Sequence, residues 1–315
     1  MNEINVDKMN QFVISADDIA EAFGCDLVED LRKYILGLDL CYELLSEEES
    51  AAVVLSCFDI LLNGELRTAG KQRREEWVAG WGQNILAFER DPQATSLRPL
   101  YFGKHREVRW RQQFIRPSSQ SFEASMLSII VRWAAYKYLQ NVDHIAEFGC
   151  GTGNNLVDLR AINSSARLIG LDWASSSQIL VEAYSKSTCD QDLIARNFDF
   201  FNPDQSFDLG RNTAVLTVAA LEQLGQNFLS FLDYLLVKKP AICINIEPIA
   251  ELLDSSNVLD FISIEYFKKR NYLSGFLPEL KRRARLGELV IHHEMRTYSG
   301  SLFIEGHSIV VWSPC

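Results

Sequence analysis

The sequence predicts an α/β protein in which a mostly parallel sheet lies between helices, preceded by an all-α cap. A strand-like run at 142–146 is followed by a glycine-rich turn, a helical pattern at 154–161 and a second strand at 167–171. This βαβ order makes the two strands parallel. Strand-like and helix-like segments continue to alternate downstream, whereas residues 1–95 contain helical patterns without strand-like alternation.

We expect residues 1–95 to form a helical cap domain. Ser46 and Glu49 have the spacing of a capping box at the start of the second helix. The cap could act as a lid or as a substrate-selecting wall, or it could only cover an apolar sheet edge. The three predicted helices lie at 15–36, 46–62 and 71–90.

A basic linker at 96–121 joins the cap to the rest of the chain. Between residues 98 and 116 it has six Lys or Arg residues, interleaved with aromatic residues, and a single acid. Arg109 and Arg111 are predicted to clamp a carboxylate or phosphate of a ligand, since guanidinium groups bind such anions in a bidentate manner. The alternative is a solvated strip that pairs with the acidic cap. His105 is a further candidate base in this stretch.

The glycine-rich turn has the sequence Glu147-Phe148-Gly149-Cys150-Gly151-Thr152-Gly153, and Asp172 ends the following strand. Glycines allow the backbone to turn tightly and to approach a ligand closely. An acid about 20 residues further on can accept hydrogen bonds from both hydroxyls of a ribose. Dinucleotide sites have the spacing G-x-G-x-x-G, which this chain lacks. A carboxylate beside the turn would repel pyrophosphate and suits a cationic ligand, such as a sulfonium with an ammonium group.

This pattern resembles the first motif of the class I S-adenosylmethionine-dependent methyltransferases, E-x-G-x-G-x-G. The resemblance covers about 122–315 and implies an S-adenosylmethionine-binding domain. Its fold would be a Rossmann-like seven-stranded sheet, mostly parallel with one antiparallel strand, with helices on both faces. Asp172 would bind the ribose, Trp173 would line the adenine pocket, and Asp199 would read the adenine amine. The full set of implied cofactor contacts is Glu147, Gly149, Gly151, Gly153, Asp172, Trp173, Asp199 and Phe200.

The later elements follow the same alternation. The third, fourth and fifth strands are expected at 194–198, 213–219 and 241–246, with a helix at 227–238 that stops before Pro240.

The C-terminal part begins with a helical region at 251–286, which the residues around 271–278 can interrupt. Two alternating segments at 288–295 and 301–312 flank a Tyr298-Ser299-Gly300 turn and predict a hairpin.

Candidate catalytic residues follow the fourth and fifth strands, because open parallel sheets bind ligands at the carboxyl ends of their strands. Glu222 and Gln223 follow the fourth strand, and Glu247 follows the fifth. Glu247 is the main candidate for a base or for an anchor of an amino or hydroxyl group. Its alternative role is that of an acid at a helix N-terminus. Many family members have Leu-Glu-His where this chain has Leu-Glu-Gln, which puts a base at Gln223 in doubt.

Composition limits the partners. The 315 residues carry a net charge of −11, which disfavours nucleic acid as a partner because such binding depends on Lys and Arg neutralising phosphates. The chain has no apolar run long enough to span a membrane and no signal-peptide pattern in residues 1–10. Its seven scattered cysteines indicate reduced thiols rather than a disulfide framework. A cytoplasmic enzyme is expected. The sequence indicates no metal site and leaves open whether the protein is a homodimer.

The leading hypothesis is a methyltransferase that uses S-adenosylmethionine to methylate an O or N atom of a small polar metabolite, sugar intermediate or biosynthetic product. A second hypothesis keeps the cofactor but changes the reaction, to an intramolecular cyclisation or aminobutyrate chemistry that releases methylthioadenosine. A third is a non-catalytic, methyltransferase-like scaffold.

Overall fold

The computed structural model describes residues 11–315, so residues 1–10, on which the signal-peptide prediction rests, lie outside the described residues. The strands of the described part are β1 (Gln11–Val13), β2 (Cys41–Leu44), β3 (Val108–Trp110), β4 (Gln113–Pro117), β5 (His144–Phe148), β6 (Arg167–Asp172), β7 (Leu193–Asn197), β8 (Thr213–Val218), β9 (Ile242–Glu247), β10 (Leu289–Met295), β11 (Ser299–Gly300) and β12 (Ser308–Pro314).

The α-helices of the same part are α1 (Ala16–Phe23), α2 (Glu29–Leu36), α3 (Glu47–Asn63), α4 (Arg74–Arg90), α5 (Phe122–Tyr138), α6 (Asn154–Ile162), α7 (Ser175–Thr188), α8 (Leu229–Lys238), α9 (Val258–Arg270) and α10 (Phe276–Arg285).

Seven strands form the main sheet in the order β10-β12-β9-β8-β5-β6-β7. The pairs within β9-β8-β5-β6-β7 are all parallel. Strand β12 is antiparallel to both of its neighbours, β9 and β10. The predicted seven-stranded, mostly parallel sheet with one antiparallel strand is therefore confirmed.

Both faces of this sheet are covered by helices. All residues of the central strand β8 are buried, as expected for a parallel strand enclosed on both sides. Along β5 the side chains alternate between two cores. Ile145 packs in the core that contains α5 and α6, whereas Ala146 and Phe148 pack in the core that contains α8 and α10.

The prediction of an all-α cap is wrong, because the N-terminal region contributes two strands to a second sheet. This sheet has the order β1-β2-β4-β3-β11 and is antiparallel throughout. The stretch at 96–121, predicted as a linker, supplies its central hairpin, β3 and β4. Strands of two to five residues are too short to show alternation in the sequence, and their partners are distant along the chain.

Three further boundaries differ from the predictions. The helix expected at 15–36 is split into α1 and α2, because Gly24 has φ +63° and caps α1. Residues Ser299 and Gly300 do not form a hairpin turn but pair with β3 in the second sheet. The strand expected at 301–312 begins only at Ser308. The predicted interruption within 251–286 does occur, between α9 and α10.

The carboxyl ends of β5, β6 and β8 lie at one edge of the main sheet. There the glycine turn follows β5 and is held against β6, since Gly149 N–H donates to the Leu171 carbonyl at 2.6 Å. The candidate site is built at this edge.

Candidate active site

The glycine turn adopts the left-handed backbone that its sequence predicts. Gly149, Gly151 and Gly153 have φ of +74°, +54° and +80°, a region that other residues rarely occupy. A Cβ at Gly151 would lie 3.0 Å from the Trp81 ring, and one at Gly149 would collide with the Ala220 Cβ. Glycine is therefore required here both for conformation and for space.

Asp172 ties the end of β6 to the glycine turn. Its carboxylate accepts hydrogen bonds from Gly151 N–H at 2.9 Å and from Ala174 N–H at 2.8 Å. Burial raises the pKa of Asp172 to about 6, although the same backbone N–H groups act to lower it. Each carboxylate oxygen has a further lone pair, so the side chain can still accept hydrogen bonds from a ligand.

Glu147 is buried beside the turn, and within residues 11–315 only one of its two carboxylate oxygens has a hydrogen-bond partner. Asn155 Nδ2 donates to Glu147 Oε1 at 2.7 Å, but Oε2 has no hydrogen-bond partner among the described residues. Burial raises the pKa of Glu147 to about 8. An unpartnered buried carboxylate oxygen is costly, and a cationic hydrogen-bond donor placed over the turn would satisfy it. The donor set therefore fits the ammonium group of an aminobutyrate chain.

A cleft lies over the glycine turn. Its base and one wall come from the glycine turn and from the residues around the carboxyl ends of β6, β7 and β8. The opposite wall comes from α4, where the sequence did not predict a contact. Trp77 and Trp81 of α4 stack on each other with ring centroids 5.2 Å apart. Their spacing of four residues marks one helix face, but nothing in the sequence indicates what that face covers. The lining residues are Trp77, Trp81, Gly149, Asp172, Trp173, Phe200, Phe201, Ala219, Ala220, Gln223 and Leu224.

Residues 71–90 bridge both sides of this cleft. On one side Arg74 donates to the Trp173 carbonyl at 3.2 Å, and on the other Arg73 donates to Gln223 Oε1 at 3.3 Å. The Lys71 ammonium lies 5.1 Å from the centre of the Phe201 ring. With the bridge in place, the free volume of the cleft is about 60 Å³.

The prediction that Glu247 is a catalytic base needs correction. Its side chain is fully buried and accepts from the N–H groups of Ala220 at 3.1 Å, Leu221 at 3.0 Å and Glu222 at 3.3 Å. Burial raises its pKa to about 8. Glu247 therefore holds the short turn after β8 by capping its N–H groups, which is the alternative role that the sequence allowed, and does not line the cleft.

Gln223 and Glu222 lie where the prediction expected them, at the end of β8. Gln223 lines the cleft. Glu222 is not itself a lining residue but is joined to it through Gln223, whose Nε2 donates to Glu222 Oε1 at 2.8 Å. Burial raises the pKa of Glu222 to about 7, while the Gln223 amide and the guanidinium groups of Arg270 and Arg73 act in the opposite direction. A carboxylate with this pKa can exchange a proton near neutral pH.

Tyr101 is a second residue that sequence reasoning missed. Its ring lies 6.1 Å from that of Trp81. Burial raises its pKa, and so do the nearby carboxylates of Glu222, Glu123 and Glu147. Yet 42% of its surface is exposed. Its contact with Trp81 and its interaction with these carboxylates place Tyr101 near the cleft.

Arg109 and Arg111 do not line the cleft. The Arg109 guanidinium is buried and donates to the carbonyls of Leu259 and Leu302 and to Ser263 Oγ. It therefore fastens β3 to α9. Arg111 points to α1, where it pairs with Asp18 at 3.7 Å and with Glu21 at 2.5 Å. Neither guanidinium is placed to clamp a ligand in this cleft, because Arg109 is buried between β3 and α9 and Arg111 is paired with α1.

Asp199 lies two residues after the end of β7 and is not among the residues that line the cleft. Its Oδ1 accepts from Phe201 N–H at 2.9 Å, which shapes the turn that brings Phe200 and Phe201 to the cleft. A contact between Asp199 and an adenine amine stays a prediction.

Between residues 11 and 315 no helix is long and apolar enough to cross a membrane. In the same part, no group of three or more His, Cys, Asp or Glu side chains is placed to hold a metal ion.

Comparison with known proteins gives similarity of fold only. No protein-family model and no curated protein matches the chain. Among solved structures, magnesium protoporphyrin IX methyltransferase from Synechocystis PCC 6803, with bound S-adenosylhomocysteine, aligns over 61% of this chain and 83% of its own, at 12% identity and a TM-score of 0.44. The N-methyltransferase NodS from Bradyrhizobium japonicum WM9, also with S-adenosylhomocysteine, aligns over 75% and 98%, at 10% identity and a TM-score of 0.46.

An O-methyltransferase from neocarzinostatin biosynthesis, in complex with S-adenosylmethionine and 2-hydroxy-5-methyl naphthoic acid, aligns over 96% of this chain and 89% of its own, at 15% identity and a TM-score of 0.41. With TM-scores below 0.5, these alignments carry no argument about function, which has to be argued from the residues of the cleft.

Proposed function

We propose that the chain is an S-adenosylmethionine-dependent methyltransferase that acts on an O or N atom of a small polar metabolite or biosynthetic product. One observation carries this proposal. Beside the left-handed glycine turn, a buried carboxylate oxygen of Glu147 has no hydrogen-bond partner among residues 11–315, and Asp172 supplies a second buried carboxylate. The pair suits a ligand with a cationic end and a ribose, and it does not suit the pyrophosphate of a dinucleotide.

In the proposed complex, Asp172 would accept hydrogen bonds from the ribose, and Trp173 and Phe200 would contact the adenine. Glu147 would receive the ammonium group at the other end of the cofactor. The free volume of about 60 Å³ is well below the roughly 300 Å³ at which small-molecule pockets begin. Trp81, which lies on Gly151, would therefore have to withdraw when the cofactor enters.

When bound, the cofactor supplies a methyl group whose carbon takes the lone pair of the acceptor as the carbon–sulfur bond breaks, leaving S-adenosylhomocysteine. The chain has to align the acceptor, exclude water and remove a proton. Trp77 and Trp81 would exclude water from the cleft. Glu222, whose pKa is raised to about 7, would accept the proton of the acceptor, with Gln223 holding its carboxylate in place.

Incubation with cofactor labelled in the methyl group, with and without a panel of small hydroxy and amino compounds, tests this proposal. Mass spectrometry should find S-adenosylhomocysteine and a labelled product only when an acceptor is present. Glu222→Gln should reduce the rate by roughly 100-fold or more, as for the loss of a general base, and should leave S-adenosylhomocysteine binding within about twofold. Release of methylthioadenosine without an acceptor would show that the other chemistry of the cofactor operates instead.

A further inference from the structure

A second cavity, of about 310 Å³, lies beside the cleft. It is formed by residues 103–106, which precede β3, and by residues 117–120, which precede α5, together with Val108, Phe122 and Glu123. Its volume is at the lower end of the range for small-molecule pockets, roughly 300–1,000 Å³. None of these residues lines the cofactor cleft, so the cavity and the cleft are adjacent spaces with different walls.

Tyr101 connects the wall of the cleft to the wall of the cavity along the chain. On the cleft side its ring is 6.1 Å from that of Trp81, which in turn lies over Gly151. On the cavity side the chain continues to Gly103, whose N–H donates to Glu123 Oε2 at 3.0 Å. A continuous series of contacts therefore runs from the glycine turn to the second cavity.

The wall of this cavity has an excess of positive charge. Lys104, His105 and Arg106 are consecutive and exposed. Within residues 11–315, Lys104 has no carboxylate partner within 4.0 Å, and Arg106 has only a distant one, Glu107 at 3.9 Å. Glu107 is shared with Arg116 at 3.3 Å, so its charge is largely compensated there. In a chain with net charge −11, such an excess of cations at a cavity favours an anionic ligand.

We propose that this cavity binds the methyl acceptor and that the acceptor carries a carboxylate or phosphate held by Lys104 and Arg106. The inference rests on the proposed function, because it takes the cofactor cleft as the source of the methyl group. Glu123 supplies a second contact. Its Oε2 accepts from Gly103, while Oε1 makes no hydrogen bond among the described residues and can accept one from a hydroxyl or amine of the acceptor.

Binding of small anions tests the site before any substrate is known. The probes are benzoate and phenyl phosphate, with benzamide as the uncharged analogue, and dissociation constants are measured by ligand-observed NMR. The variant Lys104→Ala/Arg106→Ala should weaken binding of at least one anion about five- to thirtyfold, as for the loss of two exposed charges. A matched control, Arg167→Ala/Lys186→Ala, removes the same charge from exposed positions at the opposite end of the sheet and should change nothing.

Glu123→Gln should have the opposite effect on anion affinity. It keeps an acceptor for Gly103 N–H and removes a negative charge from the cavity, so anion binding should tighten by about two- to fivefold. The preference between benzoate and phenyl phosphate shows which anionic group the site takes. Equal binding of benzamide, or unchanged anion affinity in Lys104→Ala/Arg106→Ala, would overturn the assignment.

S-adenosylhomocysteine affinity is measured on the same samples to separate the two proposals. Normal S-adenosylhomocysteine binding without an anion effect would refute the acceptor cavity alone. An anion effect in a protein that does not bind S-adenosylhomocysteine would overturn the proposed function, and with it the assignment of the cavity to a methyl acceptor.

Discussion

Replacing Asp172 by alanine removes the carboxylate that we expect to bind the ribose. Two charge-assisted hydrogen bonds in a partly dry cleft are worth on the order of 2–4 kcal/mol in total. Cofactor affinity should therefore fall roughly 30- to 1,000-fold. The substitution also leaves the N–H groups of Gly151 and Ala174 without their acceptor, which costs about 1–3 kcal/mol for each unsatisfied group. The melting temperature should fall by several degrees as a result.

Calorimetric titration with S-adenosylhomocysteine measures the loss, and circular dichroism checks the fold. Asp172→Asn serves as a milder variant, because it keeps the size of the side chain and one acceptor oxygen. Asp204→Ala is the matched control, since Asp204 is exposed and also accepts a backbone N–H, that of Ser206 at 2.9 Å. A folded Asp172→Ala variant that binds S-adenosylhomocysteine as tightly as the unmodified protein would refute the ribose assignment.

Three other substitutions test neighbouring parts of the site. Gly151→Val should abolish cofactor binding in calorimetry, because its side chain would meet Trp81 and resist a φ of +54°; normal binding would show that the turn is only structural. Trp81→Ala should speed cofactor association in stopped-flow fluorescence at least severalfold if Trp81 must withdraw, and an unchanged rate would contradict that requirement. Burial raises the pKa of Glu147 and of Glu247 to about 8, above the ordinary value of about 4.5, so the folded state holds protons that the unfolded state releases. This contribution to stability is complete below about pH 4.5 and is lost as the pH rises through about 8, so the melting temperature without cofactor should fall between about pH 5 and 8. Glu147→Gln should flatten that decline, and an identical pH profile would contradict the assigned pKa.

The main sheet could be predicted because its determinants are local. The βαβ order at residues 142–172, the glycine spacing and the apolar strands are all visible within short windows of the sequence. Asp172 was predictable for the same reason, since its distance from Gly151 is set by one helix and one strand. The interruption between α9 and α10 was also visible, from the residues around 271–278.

The second sheet and the far wall of the cleft could not be predicted, because both depend on contacts between distant segments. Gly300 pairs with Arg109 across the chain, and Trp81 meets Gly151 only after α4 docks. The roles of Arg109 and Glu247 depended on the acceptors and donors around them, which the sequence does not reveal. A buried guanidinium that donates to carbonyl groups and a ligand clamp have the same residue type and the same neighbours in sequence.

The central claim is that the cleft over the glycine turn binds S-adenosylmethionine, and a calorimetric titration of the unmodified chain tests it most directly. We expect S-adenosylhomocysteine to bind at one site per chain, and more tightly as the pH rises toward about 8, because ionised Glu147 then pairs with the ammonium group of the ligand. NAD should give no binding heat, since the carboxylate of Glu147 disfavours a pyrophosphate. Heat of binding from NAD and none from S-adenosylhomocysteine would contradict the account.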